Sequence, residues 1–382
     1  MNYFRSSRYL IVAFAMGMTL ALASCGGSGS SMGPAPTPPG YADHILVSNS
    51  TAISAMHQDA SLVNPWGIVF NPQGFVWVAN NGTATSTLYD GNGVAQSLVV
   101  AIPAGAAGPA APTGIVFNGT TAFSVSVGAL SGVSAFIFAS EGGTISAWSP
   151  TVDMNNAVTV YDGASVGSIY KGLAIAEDSV GNNFLYATDF HNAKVDVFNG
   201  SFTKVAAAGG FVDASVPAGY APFGIQNIAG SDGSAHIYVS YAKQGSGADE
   251  VDGAGFGYLA VFDATGTLIT HLVSGGALNA PWGIALAPAD FGALSGDLLV
   301  GNFGDGTINA YDPATGASKG AMTLRSGGAV QIPGLWGIAF GNGLNSQPTN
   351  TLFYAAGPNG EADGVYGRVD YDTSQTMNGP GY

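Results

Sequence analysis

Acidic clusters are the residues here whose types and spacing most suggest chemistry. Asp249-Glu250-Val251-Asp252-Gly253 places three carboxylates in five residues, and the stretch 358–364 carries Glu361 and Asp363. Grouped oxygen donors suit a hard cation such as Ca2+. The run at 249–253 lacks the twelve-residue spacing of a calcium loop, and solvated loops are the plainer reading of both stretches. Gly-x-Ser-x-Gly occurs at 29–33, 163–167 and 316–320, but 58 glycines make such matches expected noise. None has the strand–turn–helix setting of a nucleophile elbow. Ser168-Ile169-Tyr170-Lys171 matches Ser-x-x-Lys equally weakly. The five histidines show no metal-binding pair spacing. His191, two residues after Asp189, is the one to weigh as an acid–base group; for both, a structural role is the plainer alternative.

These residues must be positioned by the elements around them, and the elements repeat. The phrase x-Gly-Ile/Leu recurs at Trp66-Gly67-Ile68, Thr113-Gly114-Ile115, Lys171-Gly172-Leu173, Phe223-Gly224-Ile225, Trp282-Gly283-Ile284 and Trp336-Gly337-Ile338. Its glycines are 47 to 59 residues apart. After each comes an apolar run ending in small or polar residues, such as Val76-Trp77-Val78-Ala79-Asn80. About ten residues later a strand ends in an aromatic and a turn former, such as Tyr89-Asp90. The runs are short, rich in Val, Ile, Phe and Tyr, and bracketed by Gly, Asn or Asp, which signals strands. Six such repeats, each long enough for a four-stranded blade, predict an all-β, six-bladed β-propeller. The sixth repeat lacks a fourth strand, whereas His44-Ile45-Leu46-Val47-Ser48 precedes the first with no blade of its own. Closure of the last blade by this N-terminal strand removes both exposed edges.

If the Gly-Ile strand is innermost, its entry loop opens on the same rim as the loop after the second strand. That predicts a ligand-binding rim of Trp66, Asn80, Asn81, Glu141, Lys171, Asp189, Tyr241, Trp282, Asn302 and Trp336, with the acidic insertions on the same side. Loops on a rigid scaffold are where binding commonly sits. The aromatic ring at Trp66, Phe223, Trp282 and Trp336 has two readings: inter-blade packing, the plainer one, or a platform for sugars and planar ligands. The Asn, Ser and Thr column has a bland reading too, capping backbone groups where strands meet turns.

The N-terminus sets the expected compartment. Arg5 and Arg8 precede an apolar stretch from Tyr9 to Ala23, then Leu22-Ala23-Ser24-Cys25. This resembles a bacterial lipoprotein signal ending in a lipobox, and Cys25 is the only cysteine in 382 residues. The predicted domains are a signal peptide over 1–24, a lipidated Cys25 with a Gly/Ser/Pro-rich tether to residue 43, and the propeller over 44–382. The expectation is an outer-membrane lipoprotein of the cell envelope, attached to the membrane by its N-terminal lipid, and a monomer. A net charge of −15, more negative once Arg5 and Arg8 are removed, sets nucleic acid aside as a partner.

Several phrases resemble an uncharacterised family of exported bacterial propeller proteins: Asn64-Pro65-Trp66-Gly67, Tyr186-Ala187-Thr188-Asp189-Phe190, Ala221-Pro222-Phe223-Gly224, Ala280-Pro281-Trp282-Gly283 and Gly301-Asn302-Phe303-Gly304-Asp305-Gly306. The resemblance covers about residues 44–370 and implies fold and export. More distantly the repeats are similar to NHL-repeat and gluconolactonase-like propellers. The latter hold a divalent metal in the central channel with Glu and Asn/Asp ligands. Asn80, Glu141, Asp189 and Asn302 are the nearest positions to such a set. Two functions follow as expectations: a lipid-anchored module whose rim binds a protein, glycan or small molecule, or a metal-assisted hydrolase or lactonase in the channel. Converging carboxylates and amides would favour the second, and a channel lined by Ala, Gly and aromatics the first.

Overall fold

The computed structural model describes residues 39–373, and these form six blade sheets arranged as a six-bladed β-propeller, with a separate two-stranded ribbon of Ser124–Val127 and Leu130–Val133. The innermost strands are Pro65–Phe70, Pro112–Phe117, Tyr170–Glu177, Tyr220–Ala229, Pro281–Leu286 and Leu335–Phe340. Each is followed outward by a second strand: Val76–Asn80, Phe136–Ser140, Asn183–Asp189, Ala235–Gln244, Leu298–Asn302 and Leu352–Ala356. Third and fourth strands complete the blades. The second strands are almost wholly buried, because each sheet is covered on both faces by its neighbours.

The glycine column has a steric cause. A Cβ at Gly67 would fall under 3.0 Å from the Thr113 carbonyl oxygen. The same clash runs on from Gly114 to Leu173 N, Gly172 to Phe223 O, Gly224 to Trp282 O, Gly283 to Trp336 O and Gly337 back to Trp66 O. Six inner strands thus approach backbone to backbone in a closed ring, and only glycine permits the approach.

Each inner strand also carries one extra residue at this point. Pro65 pairs with Asn80 and Ile68 with Val78, and the corresponding shift recurs in all six blades. A bulge re-aims side chains. Here it leaves the residue before each glycine outside the regular alternation, at the upper mouth of the channel, where the inner strands begin. Below, the channel widens into a cavity of about 460 Å³ lined by aliphatic and aromatic residues such as Ile68, Phe117, Ile228 and Phe340 and by the polar Gln226 and Asn227.

The N-terminal strand closes blade six as expected, lying antiparallel to Val365–Asp372. It begins at Gly40, earlier than His44, because Tyr41 is an anchor. Its ring is buried, its hydroxyl donates to the Phe291 carbonyl at 2.8 Å and it accepts the Leu294 N–H at 3.0 Å. Gly40 pairs with Asp372, so both ends of the described chain leave from the lower face.

Candidate functional site: a caged lysine over an aromatic plug

Five of the six residues before the glycines meet at the axis. The rings of Trp66 and Trp336 stack with centroids 3.4 Å apart, and Trp282 stands edge-on to both, at 6.0 and 5.9 Å. Phe223 packs against Trp336 at 5.9 Å, and Phe303 stacks on it at 4.0 Å. These rings plug the channel from above. Thr113 alone turns aside, its hydroxyl donating to the Tyr170 carbonyl at 2.8 Å.

Lys171 supplies the fifth member, and its side chain is only 1% exposed. Its ammonium lies 5.0 Å from the Trp66 ring centroid and 5.9 Å from that of Phe190, a cation–π setting. Carboxylates surround it from loops after the second strands of alternate blades. Glu141 Oε1 is at 2.5 Å, Asp249 Oδ1 at 3.8 Å and Glu250 Oε2 at 4.0 Å. Glu361, from blade six, is close enough to feel the ammonium and is tied at 3.2 Å to Asn64 Nδ2. Asn81 Nδ2 donates to Glu141 Oε2 at 2.8 Å. Asn64 holds a left-handed backbone (φ 44°), which asparagine tolerates, and its Oδ1 accepts from Trp336 Nε1 at 3.1 Å. The Lys171 carbonyl accepts from Trp282 Nε1 at 2.9 Å, joining plug and cage.

Electrostatics follow from this packing. Burial alone would lower the Lys171 ammonium, but Glu141, Glu250 and Asp249 outweigh it and hold it above its usual range. It is a fixed positive charge, not a neutral amine. Burial pushes Glu250 up to about 7, with the Lys171 charge opposing the rise. Burial raises Glu361 as well, reinforced by Glu141. Around the ammonium, Glu250 Oε2 and Trp66 Nε1 are buried without a hydrogen-bond partner among the described residues.

The rim residues expected from sequence divide into two groups. Trp66, Trp282, Trp336, Lys171, Glu141 and Asn81 converge on the axis. The three tryptophans are at most 9% exposed and lie on one another, which is the packing arrangement. The others sit on the same rim but are bound within their own blades. Asn80 donates to Thr85 and Thr87, at 3.1 and 3.0 Å. Asp189, fully buried, accepts from Ile169 N at 3.2 Å and Asn192 Nδ2 at 2.8 Å. Asn302 donates to the Ala277 carbonyl at 2.7 Å and accepts the Asn279 N–H at 3.1 Å. Tyr241 is buried against blades three and four. His191 is exposed and borders an open cleft of about 520 Å³ between blades two and three, with Glu141 on the same wall.

Asn80, Glu141, Asp189 and Asn302 therefore do not share a coordination point. No group of three His, Cys, Asp or Glu side chains among the described residues is arranged to hold a metal. The residues do not fit the channel-metal set of gluconolactonase-like propellers, because the point where carboxylates and amides converge is filled by the Lys171 ammonium. Glu250 and Glu361 belong to the acidic insertions expected on this side, whereas Asn64 was not expected at the rim. The signal for the two carboxylates was the placement of both acidic insertions in the same loop of alternate blades.

Fold and site together define a six-bladed propeller whose channel is open below and closed above by stacked aromatics and a caged lysine. No family model matches the chain. Two uncharacterised proteins of Acanthamoeba polyphaga mimivirus are 36% identical over 340 residues and 34% identical over 338. The alignments cover 86% of this chain in both cases, and 80% and 85% of the viral proteins. The chain belongs to the family of these mimivirus proteins. Among solved structures, virginiamycin B lyase from Staphylococcus aureus resembles it with a TM-score of 0.48 and 15% identity, covering 87% of this chain and 99% of that one.

Proposed function

We propose that this protein is an exported binding module that takes its ligand on the upper rim, around the Lys171 cage. The observation that carries the reading is the convergence of Glu141, Asp249, Glu250 and Glu361 on one ammonium from three blades. Such a rim is rich in acceptors and favours ligands that bring donors, an amine-bearing small molecule or a basic peptide above all. The metal-assisted hydrolase is the weaker alternative, since the Lys171 ammonium already takes up the carboxylates at the convergence point. Nor is any group of three His, Cys, Asp or Glu side chains among the described residues arranged to hold a metal.

The same proposal includes an N-terminal anchor. Cys25, the signal segment and the tether up to residue 38 lie outside the described residues. Among the described residues no helix is long and apolar enough to cross a membrane. With both ends of the described chain on the lower face, a lipid on Cys25 would leave the caged rim facing away from the bilayer.

The test is a thermal-shift screen of polyamines, Lys-rich peptides and neutral oligosaccharides against the wild type, Glu361→Gln and Asp249→Asn. Amine ligands are expected to raise the wild-type melting temperature and to lose most of that effect in both variants. Binding that is indifferent to both substitutions would remove the rim as the site.

A further inference from the structure

The upper outer edge of blade four holds a constellation that the axial site does not use. His271 Nδ1 lies 2.5 Å from Asp213 Oδ2, and His271 Nε2 lies 2.6 Å from Ser274 Oγ. The Asp213 side chain is 1% exposed, that of His271 is 21% exposed, and Ser274 is open to solvent. A buried carboxylate thus orients a half-covered imidazole, which in turn meets an accessible hydroxyl.

The local backbone explains how residues three apart on a strand share a face. Regular strands put positions i and i+3 on opposite sides. On Leu268–Ser274 the pairing runs Ser274 to Tyr258, Val273 to Leu259, then His271 to Ala260, leaving Leu272 as an inserted residue. That bulge brings His271 and Ser274 to the same face. Asp213 comes from the loop between blades three and four and is fixed by a 2.8 Å bond from Ser215 N–H. Burial would raise its carboxyl, but the bonds from His271 and Ser215 hold it below the usual range. With a carboxylate on Nδ1, that nitrogen carries the proton and Nε2 is left to accept from Ser274. Tyr258, opposite Ser274, stands 6.2 Å from the imidazole and packs on Tyr220, giving the site an aromatic wall. Gly275 and Gly276 then turn the chain in left-handed conformation (φ 56° and 63°). A Cβ on Gly276 would meet nothing closer than 4.0 Å, so the space beside the turn is open.

We propose that Ser274, His271 and Asp213 form a nucleophile–base–orienter triad that hydrolyses small activated carboxylic esters. Ser274 Oγ bonds to the ester carbonyl carbon while its proton passes to His271 Nε2. The tetrahedral intermediate collapses by breaking the bond to the alkoxy oxygen, and the alcohol leaves with the proton from Nε2. Water then adds to the acyl carbon and gives its proton to Nε2. The acid departs as the acyl–Oγ bond breaks and Ser274 recovers its proton. Asp213 stays ionised throughout and holds the imidazole in place.

The experiment combines 4-nitrophenyl acetate hydrolysis with fluorophosphonate labelling mapped by peptide mass spectrometry on the folded protein. Saturable nitrophenolate release and a label on Ser274 are expected. Ser274→Ala should lose the label and fall to the buffer rate, and it lies at an exposed position where folding tolerates the change. His271→Ala should lower kcat about 100-fold, and Asp213→Asn should lower kcat more than it raises KM. An unlabelled Ser274 in the wild type, or hydrolysis unchanged in Ser274→Ala, would overturn the proposal. Neither result touches the rim, which uses no residue of this triad.

Discussion

Lys171 and Glu250 set the chemistry of the upper face residue by residue. A buried ammonium is tolerable only when paired, and removing its partners or the ammonium itself strands charge in a low-dielectric setting. Glu250 is the poised member, because burial brings its carboxyl up to about 7. The folded state therefore binds a proton that the unfolded state releases at ordinary carboxylate pH. Stability from this group is fully present below about pH 4.5 and is lost as pH rises through 7. Wild type should lose stability relative to Glu250→Gln between pH 5 and 8, by on the order of 2–3 kcal/mol. Denaturant melts of both proteins across that range measure it. A gap that stays constant with pH would show that Glu250 titrates normally.

Bulged inner strands and the borrowed outer strand are the elements that make the site. The x-Gly phrase was legible because the glycine is demanded by backbone contact at every blade junction, and a steric demand repeated six times leaves a visible column. The side-chain consequence was not legible. One inserted residue re-aims Trp66, Lys171, Phe223, Trp282 and Trp336; packing is the plainer reading of the aromatics, but nothing in their types places a lysine among them. The same applies to Ser274, His271 and Asp213. Asp213 is 58 residues from His271, and only a bulge at Leu272 puts His271 and Ser274 on one face. The closing strand was legible from its missing partner, although Tyr41 extends it to Gly40. Deleting residues up to and including Ser48 removes the buried Leu46 and Val47 and the ladder to Val365–Asp372. The melting temperature should fall by many degrees, since a single large core truncation alone costs about 2–5 kcal/mol. An unchanged melting curve would mean that the blade closes without it.

The two ends of the propeller are unlike. Its lower channel is a cavity whose aliphatic and aromatic walls also carry Gln226 and Asn227, and its upper end is a polar cage built from the loops of blades two, four and six around a lysine from blade three. Sequence showed which face would carry the variable loops, but acidic loops read alone look solvated. Their convergence depends on the closed six-fold ring. That ring also delivers Lys171 to the point where the carboxylates converge, which favours the proposed binding rim over a metal centre. The most direct measurement is the divalent-ion content of purified wild-type protein after dialysis against calcium, read by plasma mass spectrometry, together with the melting temperature before and after EDTA. Substoichiometric metal and a melting temperature unmoved by chelation are the predicted results; one retained ion per chain, with a lower melting temperature once it is stripped, would contradict the account.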